Sequence, residues 1–169
     1  MSDKELRNQL VRMLTIRQAH MDFVDAVADF PEAEINTQLP NADYTFWHLL
    51  EHIRICQKDI LDYIVDDDYQ WPTFPVDLWP NKTAVTDPSG WQNTIDQFLA
   101  DRQALVDIIN DPETDLFAPL PNSGEHQHNV LREINIIANH NAYHTGELGV
   151  LRQSMGLWKS GIEVGNVDG

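Results

Sequence analysis

Along four long stretches of this chain, apolar residues recur three and four apart, and almost nowhere do they alternate two apart. That periodicity leaves helices as the elements that can bury the apolar surface. The first stretch covers about residues 3–28, with Leu6, Leu10, Met13, Leu14, Met21, Val24 and Val27 as its stripe, and Arg17 and His20 interrupt it midway. The second, about 45–65, has Thr45 as its N-cap and Leu49, Leu50, Ile53, Cys56, Ile60, Leu61 and Ile64 on its apolar side. The third, about 89–110, carries Trp91, Ile95, Phe98, Leu99, Leu105, Val106 and Ile109 before Asp111-Pro112 stops it. The fourth, about 125–155, closes at Gly156. Pro31 and Pro40 bracket one connection, and Pro119, Pro121 and Gly124 punctuate another. The expected fold is all-α, a four-helix bundle forming a single domain over residues 1–169.

The connection at 66–88 contains Pro72, Pro75, Pro80 and Pro88, yet Trp71, Phe74, Leu78 and Trp79 make it too apolar for a free linker. It is expected to lie against the bundle and cover one end. A crossover of that length also lets two neighbouring helices run parallel.

Composition narrows the function. A formal net charge of -16, with no dense Lys/Arg cluster, argues against nucleic-acid backbones and anionic membranes. Cys56 is the single cysteine, so no intramolecular disulfide is expected and a reducing compartment fits. The polar start offers no signal peptide, and no apolar run approaches the roughly 20 residues of a membrane span. A cytoplasmic protein is therefore expected.

Chemistry concentrates in the histidines. His140 and His144 lie one turn apart on the fourth helix among Ile136, Ile137 and Leu148, so their rings can close on one ion. Unpaired imidazoles in such a place would cost free energy. A third ligand must come from elsewhere, and the pair His48/His52 on the second helix is the best source. The stripe Leu49, His52, Cys56, Ile60 prefers His52. His48 is then a supporting residue, an alternative ligand or a helix-end histidine. Three histidines leave coordination positions open, as a water or substrate site requires. One divalent transition metal is expected, zinc or nickel first, with iron or manganese as alternatives.

Sharper readings fail on spacing. His140-Asn141-Ala142-Tyr143-His144 lacks the glutamate of the His-Glu-x-x-His metalloproteases. Glu125, His126, His128 and Glu133 do not match a di-iron bundle. There is no glycine-rich phosphate loop, and Cys56 reads as a core thiol. Glu147 can orient a ring, contact water or serve as a fourth ligand, or simply be solvated. Tyr143 and Asn141 point to other faces. Arg152 can pair with an acidic neighbour or bind a substrate anion. Arg17 and His20 can line a cavity above the metal, whereas His126 and His128 are three or more turns away.

Two segments, Tyr44-Thr45-Phe46-Trp47-His48-Leu49-Leu50-Glu51-His52-Ile53 and His140-Asn141-Ala142-Tyr143-His144-Thr145-Gly146-Glu147-Leu148-Gly149-Val150-Leu151-Arg152, resemble the DinB/YfiT-like superfamily of four-helix metalloproteins. The resemblance implies His52, His140 and His144 around one divalent metal, an up-down-down-up bundle and a homodimer. It also implies a small-molecule substrate. Some members are transferases or isomerases using a low-molecular-weight thiol other than glutathione, some act in hydrolysis, and many have no established activity. DNA binding is not implied for so acidic a chain. Three readings follow: an enzyme that activates a thiol or water on a metal, a non-catalytic metal- or small-molecule-binding protein of the stress or detoxification type, and a structural bundle with vestigial histidines. No residue is singled out as catalytic.

Overall fold

A computed structural model describes residues 2–38 and 42–158; Pro40 lies outside the described residues. Among the described residues there are five α-helices: α1 (Asp3–Thr15), α2 (Phe23–Val27), α3 (Phe46–Val65), α4 (Pro88–Asn110) and α5 (Val130–Ser154). No strand occurs among the described residues, only isolated bridges between Gln38 and Thr45 and between Pro119 and Asn129. None of their helices is long and apolar enough to cross a membrane.

Caps explain where these helices begin, and twice they correct the boundaries expected from the apolar pattern. The stretch expected as one helix over 3–28 is two. Its stripe skips from Leu14 to Met21 with Arg17 and His20 between, so nothing rewards continuing the turn. Ile16 goes extended, and the Asp22 carboxylate restarts the chain as α2 by accepting the Val24 N–H. The last helix starts at Val130, not near 125. Gln127 sits in the left-handed region at φ 54°, and Asn129 supplies the cap by accepting the Arg132 N–H at 2.9 Å. Thr45 caps α3 and Asp87 caps α4.

Long-range hydrogen bonds fix the directions. Arg7, early in α1, donates to the carbonyls of Ile109, Asp111 and Thr114 at the end of α4, so these helices are antiparallel. Along α3 and α4, Glu51 accepts from Thr94 and Gln57 donates to the Phe98 carbonyl, a parallel pairing. Along α3 and α5, Tyr44 meets Glu147, His52 meets His140 and Tyr63 meets His128, an antiparallel one. The bundle of α1, α3, α4 and α5 therefore runs up, down, down, up, with the long crossover between its parallel members.

Two apolar clusters fill it. Toward the end of α3, Leu61, Leu105, Ile109 and Ile134 pack with Leu10 and Leu14. Toward its start, Phe46, Leu49, Leu50, Ile53, Phe98 and Leu148 pack with Phe23 and Phe30 from the α2 segment, including a Phe23–Phe98 stack at 3.9 Å. Each such side chain contributes about 1.5–3 kcal/mol when fully buried. Between the clusters, Gln57 is 0% exposed, donating to Phe98 and accepting from the Asn141 amide at 2.9 Å. Polar residues in such a layer must find partners, and the histidines stand beside it.

The crossover covers the bundle only in part. Leu78 and Trp79 reach α3, whereas Trp71 is 62% exposed and Phe74 82% exposed.

Candidate metal centre

His52 projects from the second turn of α3 and is 6% exposed. Its Nδ1 lies 2.6 Å from the Leu78 carbonyl. A carbonyl can only accept, so Nδ1 carries the proton and Nε2 presents a lone pair. Trp79 stacks on the ring at 3.9 Å with a 7° tilt, fixing its plane. The crossover thus supplies both the hydrogen bond and the packing that orient this imidazole.

From α5, His140 and His144 arrive with centroids 4.5 Å apart. His144 donates from Nδ1 to Oε2 of Glu147 at 2.8 Å, again freeing Nε2. The other carboxylate oxygen of Glu147 accepts from the Tyr44 hydroxyl. Burial first, and then Glu147, push the Tyr44 hydroxyl up to about 12, so it stays a donor. Glu147 therefore takes the ring-orienting role among those open to it. A carboxylate behind a ligating imidazole raises the ligand's basicity and fixes its tautomer.

His140 completes the cluster, its Nε2 3.2 Å from Nε2 of His52. Burial, then the neighbouring His144 and His52, lower its pKa to about 4. Burial also lowers that of His52, partly offset by the Leu78 carbonyl. Both rings are thus neutral near pH 7, the form that ligates metals.

Ligand atoms of His52, His140 and His144 all lie within 4.8 Å of one another. A tetrahedral ion holding nitrogens at about 2.1 Å would set them about 3.4 Å apart, so small side-chain rotations close the site. One observation fits an ion there: the facing Nε2 atoms, 3.2 Å apart, need one proton or one cation between them. The three histidines could hold a divalent metal ion; its identity is not set by imidazoles alone.

The other candidates separate cleanly. His48 uses both ring nitrogens: Nδ1 accepts from the Thr45 N–H at 3.1 Å in a capping box, and Nε2 donates to the Ala84 carbonyl at 2.9 Å. It holds the start of α3 and a crossover loop. Cys56 Sγ lies 3.5 Å from Nδ1 of His52, but burial and then Asp59 push its thiol to about 12, leaving it a core thiol. Arg152 is 2% exposed, donates to the Ala26 carbonyl, lies over the Trp158 ring and interacts electrostatically with Asp29, so it ties the end of α5 to the α2 segment. His20 lines a cavity of about 20 Å³ with Asn141 and Thr145, and Arg17 is not on its wall. His126 and His128 stack on each other beside Tyr63, away from the triad.

Three parts of the site carried little sequence signal. The Leu78 carbonyl carried none, being backbone. Trp79 stood out only as one aromatic residue of a connection rich in them. Tyr44 lies 103 positions from its partner Glu147, and no local spacing reveals that pairing.

No curated protein and no solved structure matches the chain. The family model of the DinB superfamily matches residues 15–148, a span that contains all three histidines and Glu147. With that match over most of its length and a bundle presenting its histidines as described, the chain belongs to the DinB superfamily.

Proposed function

We propose that the protein binds one divalent transition metal through His52, His140 and His144 and uses it to activate a small thiol or water for attack on an electrophilic small molecule. The observation that carries this reading is the pair of hydrogen bonds behind the rings. Leu78 and Glu147 hold His52 and His144 as Nδ1–H tautomers, so their Nε2 lone pairs are committed to the space that His140 also faces. A divalent ion in a three-histidine site supplies a Lewis acid that lowers the pKa of a thiol or water.

The chain's own residues do the rest. Trp79 shields the face of His52 from solvent and keeps the ring from turning. Glu147 balances charge at His144 and is itself held by Tyr44. Zinc and nickel suit such a donor set, as do iron and manganese to a lesser degree.

The test is turnover of low-molecular-weight thiols with electrophilic acceptors, and of hydrolysable esters and amides, by the chelated and the reloaded protein. Activity lost on chelation and restored by one metal supports the reading. Full metal occupancy with no turnover on either panel would remove the catalytic half and leave a binding protein.

A further inference from the structure

A second pocket lies toward the other end of α3, far along the helix from His52. Three rings form its walls: Tyr63 on the last turn of α3, and Tyr69 and Trp71 on the crossover that follows. Their centroids are 5.0 Å apart for Tyr63–Tyr69, 5.1 Å for Tyr63–Trp71 and 5.6 Å for Tyr69–Trp71. The planes meet at 63°, 52° and 78°, so the rings pack tilted or edge-on to one another rather than in a stack. The space beside them is about 180 Å³. Pockets for drug-sized ligands run to about 300–1,000 Å³, so this one suits a small head group.

Its charges are unequal. Glu133, 2% exposed, is paired with Arg132, and that pair cancels. His128 stands beside it, its Nδ1 3.0 Å from the Tyr63 hydroxyl and 3.8 Å from Glu133. Among the described residues Asp59, four before Tyr63, has no such counter-charge: it accepts the Tyr69 hydroxyl, at 2.6 Å, while Lys58 is turned to Asp62. Burial, and then Asp62, push the Asp59 carboxyl up, with the Tyr69 hydroxyl offsetting part of this.

We propose that this aromatic cluster binds a small organic monocation of the quaternary-ammonium or methylated-amine class, held against the rings of Tyr69 and Trp71, with Tyr63 buried behind them and Asp59 as its counter-ion. Ring faces attract such cations, most strongly where water is excluded. A Tyr69 hydroxyl donating to a carboxylate makes its ring richer in electrons and the attraction stronger. A methylated ammonium is weakly hydrated and loses little on entry, whereas a metal ion needs several converging donors. Among the described residues, the histidine triad is the group that offers these; Asp59, His128 and Glu133 do not converge. The chain's net charge of -16 draws cations toward the surface.

The experiment is calorimetric titration of the full chain with choline and, in parallel, with 3,3-dimethylbutan-1-ol, its neutral isostere. Saturable choline binding is expected, with the alcohol weaker by about tenfold or more. Trp71 is 62% exposed, so Trp71→Ala leaves the fold intact; it and Asp59→Asn should each weaken choline by about tenfold. The His140→Ala/His144→Ala variant should bind choline as the parent does, which separates this site from the metal proposal. No saturable binding, equal binding of the alcohol, unchanged affinity in Trp71→Ala, or loss with the histidine variant would each overturn it.

Discussion

Two helices of this bundle each carry a pair of histidines four residues apart, and the pairs meet different fates. On α5, His140 and His144 both turn to the same interior space. On α3, His52 joins them while His48 bonds to Thr45 and Ala84. Spacing is identical; distance from the helix start is not. His48 is the third residue of α3, where backbone N–H groups lack partners and a ring can answer one of them. His140 and His144 lie well inside α5, whose cap is already supplied by Asn129, so nothing local competes for their rings. A histidine pair on a helix marks a metal site only where the helix makes no other demand on it.

The sharpest way to break this contrast is to remove each pair in turn and measure metal by elemental analysis. His140→Ala/His144→Ala should fall from about one ion per chain to none, because a single imidazole cannot hold a divalent ion. His48→Ala should keep its full complement. Loss of metal in His48→Ala, with the fold retained, would put His48 back among the ligands. Next in size is the support behind the α5 pair. Glu147→Gln keeps the shape but removes the charge behind His144, and metal affinity should fall about 10–100-fold by competition with a chelating dye. An unchanged affinity would mean that the carboxylate serves Tyr44 alone.

How legible these differences were depends on whether their cause is local. The Thr45 cap and the stripe Leu49, His52, Cys56 are written in adjacent turns, so α3 and the preference for His52 followed from spacing. The clustering of the triad was legible for the same reason: two of its histidines are one turn apart, and the third shares a stripe with core residues. The break between α1 and α2 was half visible, as Arg17 and His20 interrupt the pattern, but the weight of Asp22 as a new cap was not. What could not be read was set by chain crossing. The Leu78 carbonyl, the stacked Trp79 and the Tyr44–Glu147 bond join segments far apart, and a backbone acceptor leaves no mark in a sequence.

His48 itself gives a smaller effect and a cleaner one. In His48→Ala the capping box and the bond to Ala84 both disappear, with His52, His140 and His144 untouched. Denaturant unfolding of the metal-free protein should show a loss of about 1–2 kcal/mol. An unchanged stability in His48→Ala would mean that neither bond holds the start of α3.

The smallest effect is a slope, and it tests whether the α5 pair is held ready for a cation. Burial and its two neighbouring rings lower the pKa of His140 from 6.5 to about 4 in the folded protein. Between those values the unfolded chain takes up a proton that the folded chain refuses. The sign follows: the contribution is fully present above about 6.5 and is lost as pH falls toward about 4, so metal-free stability should decline across that window. Asp59 and Asp101 oppose it, because burial raises their carboxyls and favours the folded state as they protonate. The informative quantity is therefore the difference between the parent and His140→Gln, which removes one titrating ring and leaves both carboxylates. Across pH 7.5, 5.5 and 4.5 the unfolding midpoint of the parent should fall more steeply than that of His140→Gln. Parallel lines would mean that His140 protonates as freely folded as unfolded, and that its neutrality is no preparation for a metal.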